Sequence, residues 1–357
     1  MDIKTREKCK NFEKSIFLSQ FLTPSEITSS ECYLNKNEFI YYTRIQKQKP
    51  TKDNILLMAH GYMGSNTTFF KMYGALKNDF HIISIDLPGQ GLSSSVKVTP
   101  NSPEKWIEYF VSRIKAFLQK MKIKKVNICG HSLGAFVLTH FADKYPEMIG
   151  DIFLLSPGGV NNCNPDFDKK KIILKSKFNR VIKYIGQHYA DQIFKFKLAP
   201  RDIWFLKWFP KQFTKRIYTG KRLQLSESNK NLFVNFYSTI YQSKPSSDKC
   251  LGYLFKEGPT SEVPLMKIFE KLHKNKNILL LYGQADWMDF GWTQKQVAKK
   301  NLRLHIDFVE GCEHQIVFQN PQLAVNMMLK EKKRWEKGDT QVKANNSGNV
   351  SELRFYI

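Results

Sequence analysis

The chain of 357 residues contains no uncharged apolar run of the roughly 18 or more residues that a membrane-spanning helix requires. Residues 1–14 are mostly charged and polar, so they do not resemble the apolar core of a secretory signal. The six cysteines form no C-x-x-C pair and have no histidine at metal-ligand spacing. We therefore expect reduced thiols, no metal and no other cofactor. The predicted location is the cytoplasm, with peripheral attachment to intracellular membranes or lipid droplets as an open alternative.

Acidic residues are scarce relative to basic ones: 32 Asp and Glu stand against 56 Lys and Arg, a formal charge of +24. Such a balance is typical of proteins that bind nucleic acid or an anionic membrane surface, although a biased codon usage would also produce it. The sequence has no zinc finger, helix-turn-helix or RNA-binding sheet signature. We therefore predict no nucleic-acid partner and favour an anionic membrane.

Short apolar runs alternate with amphipathic segments over most of the chain. Strands are predicted at 54–60, 80–87, 126–129, 151–155, 277–282 and 302–309, and helices at 66–77, 103–121, 133–144, 293–300 and 321–336. Because these strands are apolar throughout, they predict a mostly parallel sheet covered by helices on both faces.

The alternation stops between residues 161 and 265, where helical segments rich in aromatic residues and lysines replace the strands. The predicted organisation is an N-terminal extension (1–30), an α/β core (31–160 and 266–337), a helical cap (161–265) and a polar tail (338–357). The cap carries 20 Lys and Arg against 8 Asp and Glu, with aromatic clusters at 204–210 and 233–237. The rings either contact lipid at a membrane interface or pack the cap onto the core, and both alternatives stay open.

Ser132 lies in the motif G-H-S-L-G, which follows a predicted strand and precedes a predicted helix. A strand, a sharp turn and a helix in this order hold a serine hydroxyl exposed at the edge of a sheet, where it acts as a nucleophile. Glycines two residues to either side leave room for the turn. Cys129, in the strand before it, is expected to be a small buried side chain rather than a nucleophile.

A serine hydroxyl needs a histidine to accept its proton and a carboxylate to orient that histidine. In nucleophile-elbow folds the acid follows a late strand and the histidine comes last, and this chain has both in that order. His314 follows the final predicted strand and is expected to be the general base. Asp286 follows the strand before it and is the favoured acid, with Asp289 as the alternative.

Acyl transfer also requires N–H donors that stabilise the negatively charged oxygen of the tetrahedral intermediate. One predicted donor is the backbone N–H of Leu133, and the other comes from the segment H-G-Y-M-G after an earlier strand. Tyr62 is our choice in that segment, followed by Met63. His60 is expected to brace the loop, and Asp86, in D-L-P-G-Q-G-L-S, to hold a turn.

Together, the segments H-G-Y-M-G, D-L-P-G-Q-G-L-S, G-H-S-L-G, Y-G-Q-A-D-W-M-D and the final histidine resemble the α/β-hydrolase superfamily over residues 50–335. More narrowly, H-G-Y-M-G and D-W-M-D resemble the branch that contains α/β-hydrolase domain proteins four and five, plant relatives and fungal cardiolipin deacylases. The resemblance implies action on glycerophospholipids or acylglycerols, as a phospholipase, a lysophospholipase or an acyltransferase. One member of the branch is a non-catalytic lipase activator.

Two positions bear on the choice among these activities. The non-catalytic activator lacks the serine at the elbow, so Ser132 favours a working enzyme. Members proposed as acyltransferases carry an aspartate five positions after the histidine, where this chain has Gln319, which argues against acyl transfer. We therefore predict a serine hydrolase that cleaves fatty-acyl esters of phospholipids, lysophospholipids or acylglycerols. Epoxide hydrolases and dehalogenases are disfavoured because they need an aspartate at the elbow. A lysophospholipid acyltransferase and a non-catalytic lipid-binding protein remain the alternatives.

Overall fold

A computed structural model describes residues 2–20, 22–46, 54–163, 196–197, 210–218, 223–243, 246–256, 258–288 and 290–339. Its centre is an eight-stranded sheet in the order β1-β2-β4-β3-β5-β6-β7-β8. The strands are β1 (Ile27–Tyr33), β2 (Phe39–Ile45), β3 (Ile55–Ala59), β4 (His81–Ile85), β5 (Val126–His131), β6 (Ile149–Leu155), β7 (Ile278–Gly283) and β8 (His305–Val309). β1 and β2 are antiparallel to their neighbours, and every pairing from β4 to β8 is parallel.

The inner strands are apolar on both sides because both faces of the sheet are covered. Side chains alternate between the faces, so Leu57 and Ala59 of β3 pack into one apolar cluster while Leu56 and Met58 pack into the other. Every residue of β7 is buried. The mostly parallel, doubly covered sheet expected from the sequence is therefore the one observed.

Eleven α-helices are found in the described residues. They are α1 (Ile3–Leu18), α2 (Phe70–Leu76), α3 (Pro103–Lys120), α4 (Leu133–Lys144), α5 (Pro210–Tyr218), α6 (Glu227–Ile240), α7 (Leu251–Leu254), α8 (Leu265–Leu272), α9 (Phe290–Lys299), α10 (Ile316–Gln319) and α11 (Pro321–Glu336). Helices α3, α4 and α8 cover one face of the sheet, and α1, α2 and α11 contribute to the cluster on the other. None of the helices in the described ranges is long and apolar enough to cross a membrane.

The structure adds detail at both ends of the sheet and in the cap. The predicted start of the core at residue 31 falls inside β1, so the sheet begins at Ile27, and α1 buries Glu13 and Phe17 against the domain. Within the cap, the side chains at 233–237 are buried except Asn235, and Phe233 packs onto the core rings Phe70 and Phe318. The cluster at 204–209, about half of the cap and the tail after 339 lie outside the described residues.

Candidate active site

Ser132 occupies the sharp turn between β5 and α4, with φ 54° and ψ −113°. The flanking residues Gly130 and Gly134 must be glycines because there is no space for a side chain at either position. A Cβ on Gly130 would lie 2.4 Å from the backbone of Ala135, and one on Gly134 would lie 2.1 Å from the carbonyl oxygen of Ala59. The Ser132 N–H donates to the carbonyl of Leu155 in β6 at 3.0 Å. Strained backbone of this kind persists where the surroundings fix it, and here the parallel sheet does so.

The loops after β7 and β8 bring two further side chains to this serine. His314 Nε2 lies 3.1 Å from Ser132 Oγ, and His314 Nδ1 lies 3.0 Å from Asp286 Oδ1. Ser132 retains 9% of its exposure and His314 retains 8%, so both are accessible from one side only. Three of the residues selected from the sequence therefore form one chain of hydrogen bonds, although they are up to 182 positions apart. Asp289, the alternative acid, lies outside the described residues.

The Asp286 carboxylate is buried, and burial opposes its ionisation. The adjacent His314 and the hydrogen bonds that the carboxylate accepts outweigh this effect and lower the pKa of Asp286 below its ordinary value. One of those bonds comes from the Met288 N–H at 3.0 Å. An ionised Asp286 accepts the Nδ1 proton of His314, which leaves Nε2 as the unprotonated atom facing the serine hydroxyl.

Two side chains hold the His314 loop in place: His131, to which the sequence analysis gave no role, and Gln319, which it considered only for its bearing on acyl transfer. His131 lies next to the serine, and its Nε2 is 3.0 Å from the backbone carbonyl of His314. Burial lowers the pKa of His131 to about 3, so the ring is neutral and donates this bond. On the other side of the loop, Gln319 accepts the N–H of Glu313 at 2.8 Å. The His131 bond thus connects the elbow directly to the loop that carries His314.

Trp287 forms an apolar edge beside the same histidine. Its ring centroid lies 5.2 Å from that of His314, and 38% of the residue is exposed. A single exposed apolar side chain is common, so the informative observation is its position beside His314. The sequence signal was the D-W-M-D segment, but only the fold shows which histidine Trp287 contacts.

Residues 60–64, the oxyanion loop, run alongside the elbow. A Cβ on Gly61 would lie 2.8 Å from His131 Nδ1 and 3.2 Å from the Cβ of Ser132. His60 accepts the N–H of Leu87 on Nε2 at 2.9 Å, so its Nδ1–H donates to the carbonyl of Gly61 at 2.7 Å. Burial lowers the pKa of His60 to about 4, which keeps the ring neutral for this bracing role.

The two predicted oxyanion donors, the N–H groups of Leu133 and Tyr62, lie in different local structures. The Leu133 N–H lies in the first turn of α4, where amides have no acceptor within the helix. The N–H of Met63, our second choice after Tyr62, donates to the side chain of Gln90 at 3.1 Å. Met63 is therefore committed elsewhere, and Tyr62 remains the candidate in this loop.

Asp86 holds the turn that supplies Gln90. Its two carboxylate oxygens accept the N–H groups of Asn66 and Leu92, each at 2.6 Å. Burial raises the pKa of Asp86 to about 7. The contacts are those of a structural group rather than of one that meets a substrate. No cluster of three or more histidine, cysteine, aspartate or glutamate side chains able to hold a metal occurs among the described residues.

Comparison with known proteins agrees with this architecture. A sequence model of the α/β hydrolase fold matches residues 54–192. Among solved structures, carboxylesterase CesB from Bacillus subtilis superposes with a TM-score of 0.61 at 13% identity, covering 92% of this chain and 99% of that one. The α/β-hydrolase fold predicted from the sequence is therefore confirmed.

The related sequences carry different activities in their names. A probable 1-acylglycerol-3-phosphate O-acyltransferase of Oryza sativa subsp. japonica is 22% identical over 74% of this chain. Abhydrolase domain-containing protein abhd-5.2 of Caenorhabditis elegans is 21% identical over 80% of it. The match spans only 64% and 60% of the lengths of these two proteins. A (lyso)-N-acylphosphatidylethanolamine lipase of Mus musculus is 22% identical, with 81% of each chain covered. The names of these relatives thus include both an acyltransferase and a lipase.

Proposed function

We propose that this protein is a serine hydrolase that cleaves a fatty-acyl ester of a phospholipid, lysophospholipid or acylglycerol. The observation that carries the proposal is the continuous hydrogen-bond chain from Ser132 through His314 to the ionised Asp286. Those three groups meet the geometric requirements for activating a serine hydroxyl at neutral pH.

In the proposed reaction, Ser132 Oγ attacks the ester carbonyl while His314 Nε2 accepts the hydroxyl proton. The N–H groups of Leu133 and Tyr62 stabilise the resulting oxyanion. Collapse of the tetrahedral intermediate breaks the ester C–O bond, and His314 returns its proton to the leaving alcohol. Water, deprotonated by the same His314, then attacks the acyl-enzyme and releases the fatty acid. Asp286 stabilises the imidazolium that forms in both half-reactions.

A lipid substrate is favoured by three independent features. Lipases and glycerolipid acyltransferases are among the related proteins. The partly exposed Trp287 ring beside His314 supplies apolar surface for an acyl chain at the site. The net charge of +24 would attract a substrate that sits in an anionic membrane.

Acyl transfer is the second candidate, because the acyl-enzyme would react with a lysophospholipid hydroxyl in the same way as with water. The sequence analysis took Gln319, at a position where proposed acyltransferases have aspartate, as an argument against acyl transfer. The structure removes that argument. The Gln319 side chain accepts the N–H of Glu313 and thereby braces the His314 loop. An aspartate carboxylate is also a hydrogen-bond acceptor, so this position is a structural one and does not distinguish water from an alcohol as the acceptor.

We further propose that the protein acts in the cytoplasm and binds anionic membranes or lipid droplets peripherally. The rings at 233–237 are buried and are not available for insertion, and the proposed interaction rests on attraction between the excess of lysines and an anionic surface. Sedimentation with phosphatidylglycerol vesicles, but not with phosphatidylcholine vesicles, and loss of binding in about 0.5 M salt would support it. Equal binding to both vesicle types would exclude an electrostatic interaction.

The decisive experiment combines a fluorophosphonate probe with lipid turnover. The wild-type chain should be labelled and should release fatty acid from a lysophospholipid or acylglycerol, and Ser132→Ala should do neither. Ser112→Ala, which changes a serine on α3, is the matched control and should behave as wild type. Labelling that survives Ser132→Ala would exclude this serine as the nucleophile. Adding a lysophospholipid acceptor and a labelled acyl donor measures transfer in the same assay.

A further inference from the structure

Two hydrogen bonds connect the oxyanion loop to the cap. Tyr241, the residue after α6, donates its hydroxyl to the carbonyl of Met63 at 2.9 Å. The hydroxyl of Tyr62 donates to the carbonyl of Asp248 at 2.5 Å. Both cap residues lie about 180 positions away in the sequence, within the insertion that interrupts the α/β core. The loop expected to hold the oxyanion is therefore fixed partly by residues outside that core.

Met63 requires such support because its backbone is left-handed, with φ 54°. A residue other than glycine pays on the order of 1 kcal/mol or more for this conformation and keeps it only where neighbours impose it. Its N–H is held by Gln90 and its carbonyl by Tyr241. Tyr62 stands between this fixed residue and Gly61, whose carbonyl shares a peptide plane with the Tyr62 N–H and accepts hydrogen bonds from His60 and from the Gly64 N–H. The two contacts on Met63 and the tether on the Tyr62 ring act together with these bonds on the direction of the Tyr62 N–H.

The cap segment that receives the Tyr62 tether is itself seated on the core. Ser247 donates its hydroxyl to the carbonyl of Pro88 at 2.5 Å, and Ser246 donates to the carbonyl of Val96 at 2.6 Å. A Cβ on Gly89 would lie 2.7 Å from the Ser247 hydroxyl oxygen, so this contact leaves no spare space. The cap therefore rests on the turn that also supplies Gln90, and a shift of the cap would act on both sides of the oxyanion loop.

We propose that Tyr241 and the Tyr62 hydroxyl are positioning residues of the oxyanion hole. Through them the hole is complete only while the cap is seated, so cap position controls the acylation rate without contact between these hydroxyls and the substrate. The inference rests on the proposed hydrolase function. The cap thus controls the acylation rate in addition to enclosing the acyl chain.

The test uses Tyr241→Phe and Tyr62→Phe, each of which removes one hydroxyl and retains the ring and the backbone N–H. With a short-chain p-nitrophenyl ester, each should lower kcat roughly 10-fold to 100-fold, with KM within about twofold, because small displacements of catalytic groups have effects of this size. Affinity for a trifluoromethyl ketone, which forms a tetrahedral adduct on the serine, should fall by the same factor as kcat/KM. A purely structural role would change thermal stability without this parallel loss.

Tyr237→Phe is the matched control. Its hydroxyl also joins the cap to the core, at Ser65 and Thr67 with distances of 3.2 and 3.1 Å, but it does not contact residues 60–64. It should lower Tm about as much as Tyr241→Phe and leave kcat unchanged. Full kcat in both Tyr241→Phe and Tyr62→Phe, or an equal loss in Tyr237→Phe, would overturn the proposal. If Ser132→Ala remains active, the hydrolase assignment itself fails, so the two failures are distinguishable.

Discussion

The elbow at Ser132 and the oxyanion loop at residues 60–64 lie side by side, yet they are held in different ways. The elbow is fixed by backbone contacts: its N–H reaches β6, and its flanking glycines leave no space for a Cβ. The oxyanion loop is fixed by the side chains of Gln90, Tyr241 and His60. The position of Ser132 thus depends on the parallel sheet, whereas the position of the loop at residues 60–64 depends on side chains from separate parts of the chain. We therefore expect that a methyl group added at a glycine of the elbow disrupts the fold. Removal of one side-chain contact to the loop should lower the activity only in part.

The largest effect is expected from Gly134→Ala in the elbow. The new Cβ would lie 2.1 Å from a backbone carbonyl that cannot move without distorting β3. We expect a loss of about 3 kcal/mol or more in the free energy of unfolding, seen as a large drop in Tm or in soluble yield. Gly291→Ala, in α9, meets no atom within 4 Å and should be neutral or slightly stabilising. A variant Gly134→Ala that melts like wild type would contradict the backbone-held elbow.

Asp286→Asn should leave the fold intact and lower kcat by a factor on the order of 10⁴, since the amide would favour the wrong tautomer of His314. Asp289→Asn is the control, because the bond to His314 Nδ1 belongs to Asp286. Steady-state kinetics on a soluble ester would distinguish the two carboxylates. The reverse result, with Asp289→Asn inactive and Asp286→Asn active, would show that Asp289 is the acid.

Gln90→Leu tests the core side of the oxyanion loop. It removes the acceptor of the Met63 N–H, and a buried amide left unpaired costs about 1–3 kcal/mol. We expect kcat to fall roughly tenfold because the strained Met63 backbone relaxes, with fluorophosphonate labelling slowed rather than abolished. Gln319→Leu is a useful comparison, because it removes the acceptor of the Glu313 N–H on the His314 loop rather than an acceptor on the oxyanion loop. Unchanged kcat in Gln90→Leu would show that the contacts from Tyr241 and His60 are sufficient to hold the loop.

The last prediction concerns the pH dependence of stability around the buried Glu13, which hydrogen-bonds to Tyr41. Burial, together with the nearby Asp86, raises the pKa of Glu13 to about 8 from an ordinary value of 4.5. The folded state therefore binds a proton between pH 4.5 and 8 that the unfolded chain has released. The resulting stability is present below pH 4.5 and is lost as pH rises through 8. Glu13→Gln should accordingly gain Tm relative to wild type as pH rises from 5 to 8. A difference that is independent of pH would show that Glu13 is ionised in the fold.

Prediction from the sequence succeeded where the signal was local. The hydrophobic pattern located the inner strands and the helices α3, α4 and α11 to within about two residues. The G-H-S-L-G motif fixed the elbow because only glycine fits beside so sharp a turn. Chain order then selected Asp286 and His314, since the carboxyl ends of parallel strands meet at one edge of the sheet. β1 and β2 were not predicted, and both antiparallel pairings of the sheet, β1 with β2 and β2 with β4, involve them.

The sequence alone determined the elbow, the candidate nucleophile and the order in which its expected partners occur, because steric exclusion and strand periodicity act between near neighbours. Only the tertiary structure decided that His131 and Gln319 brace the His314 loop, that the Met63 N–H is occupied by Gln90, and that two tyrosine hydroxyls join the oxyanion loop to the cap. A tyrosine hydroxyl or a glutamine amide has many possible partners along a chain. Which of them comes within 3 Å is set by the packing of elements that the sequence separates by up to about 190 residues.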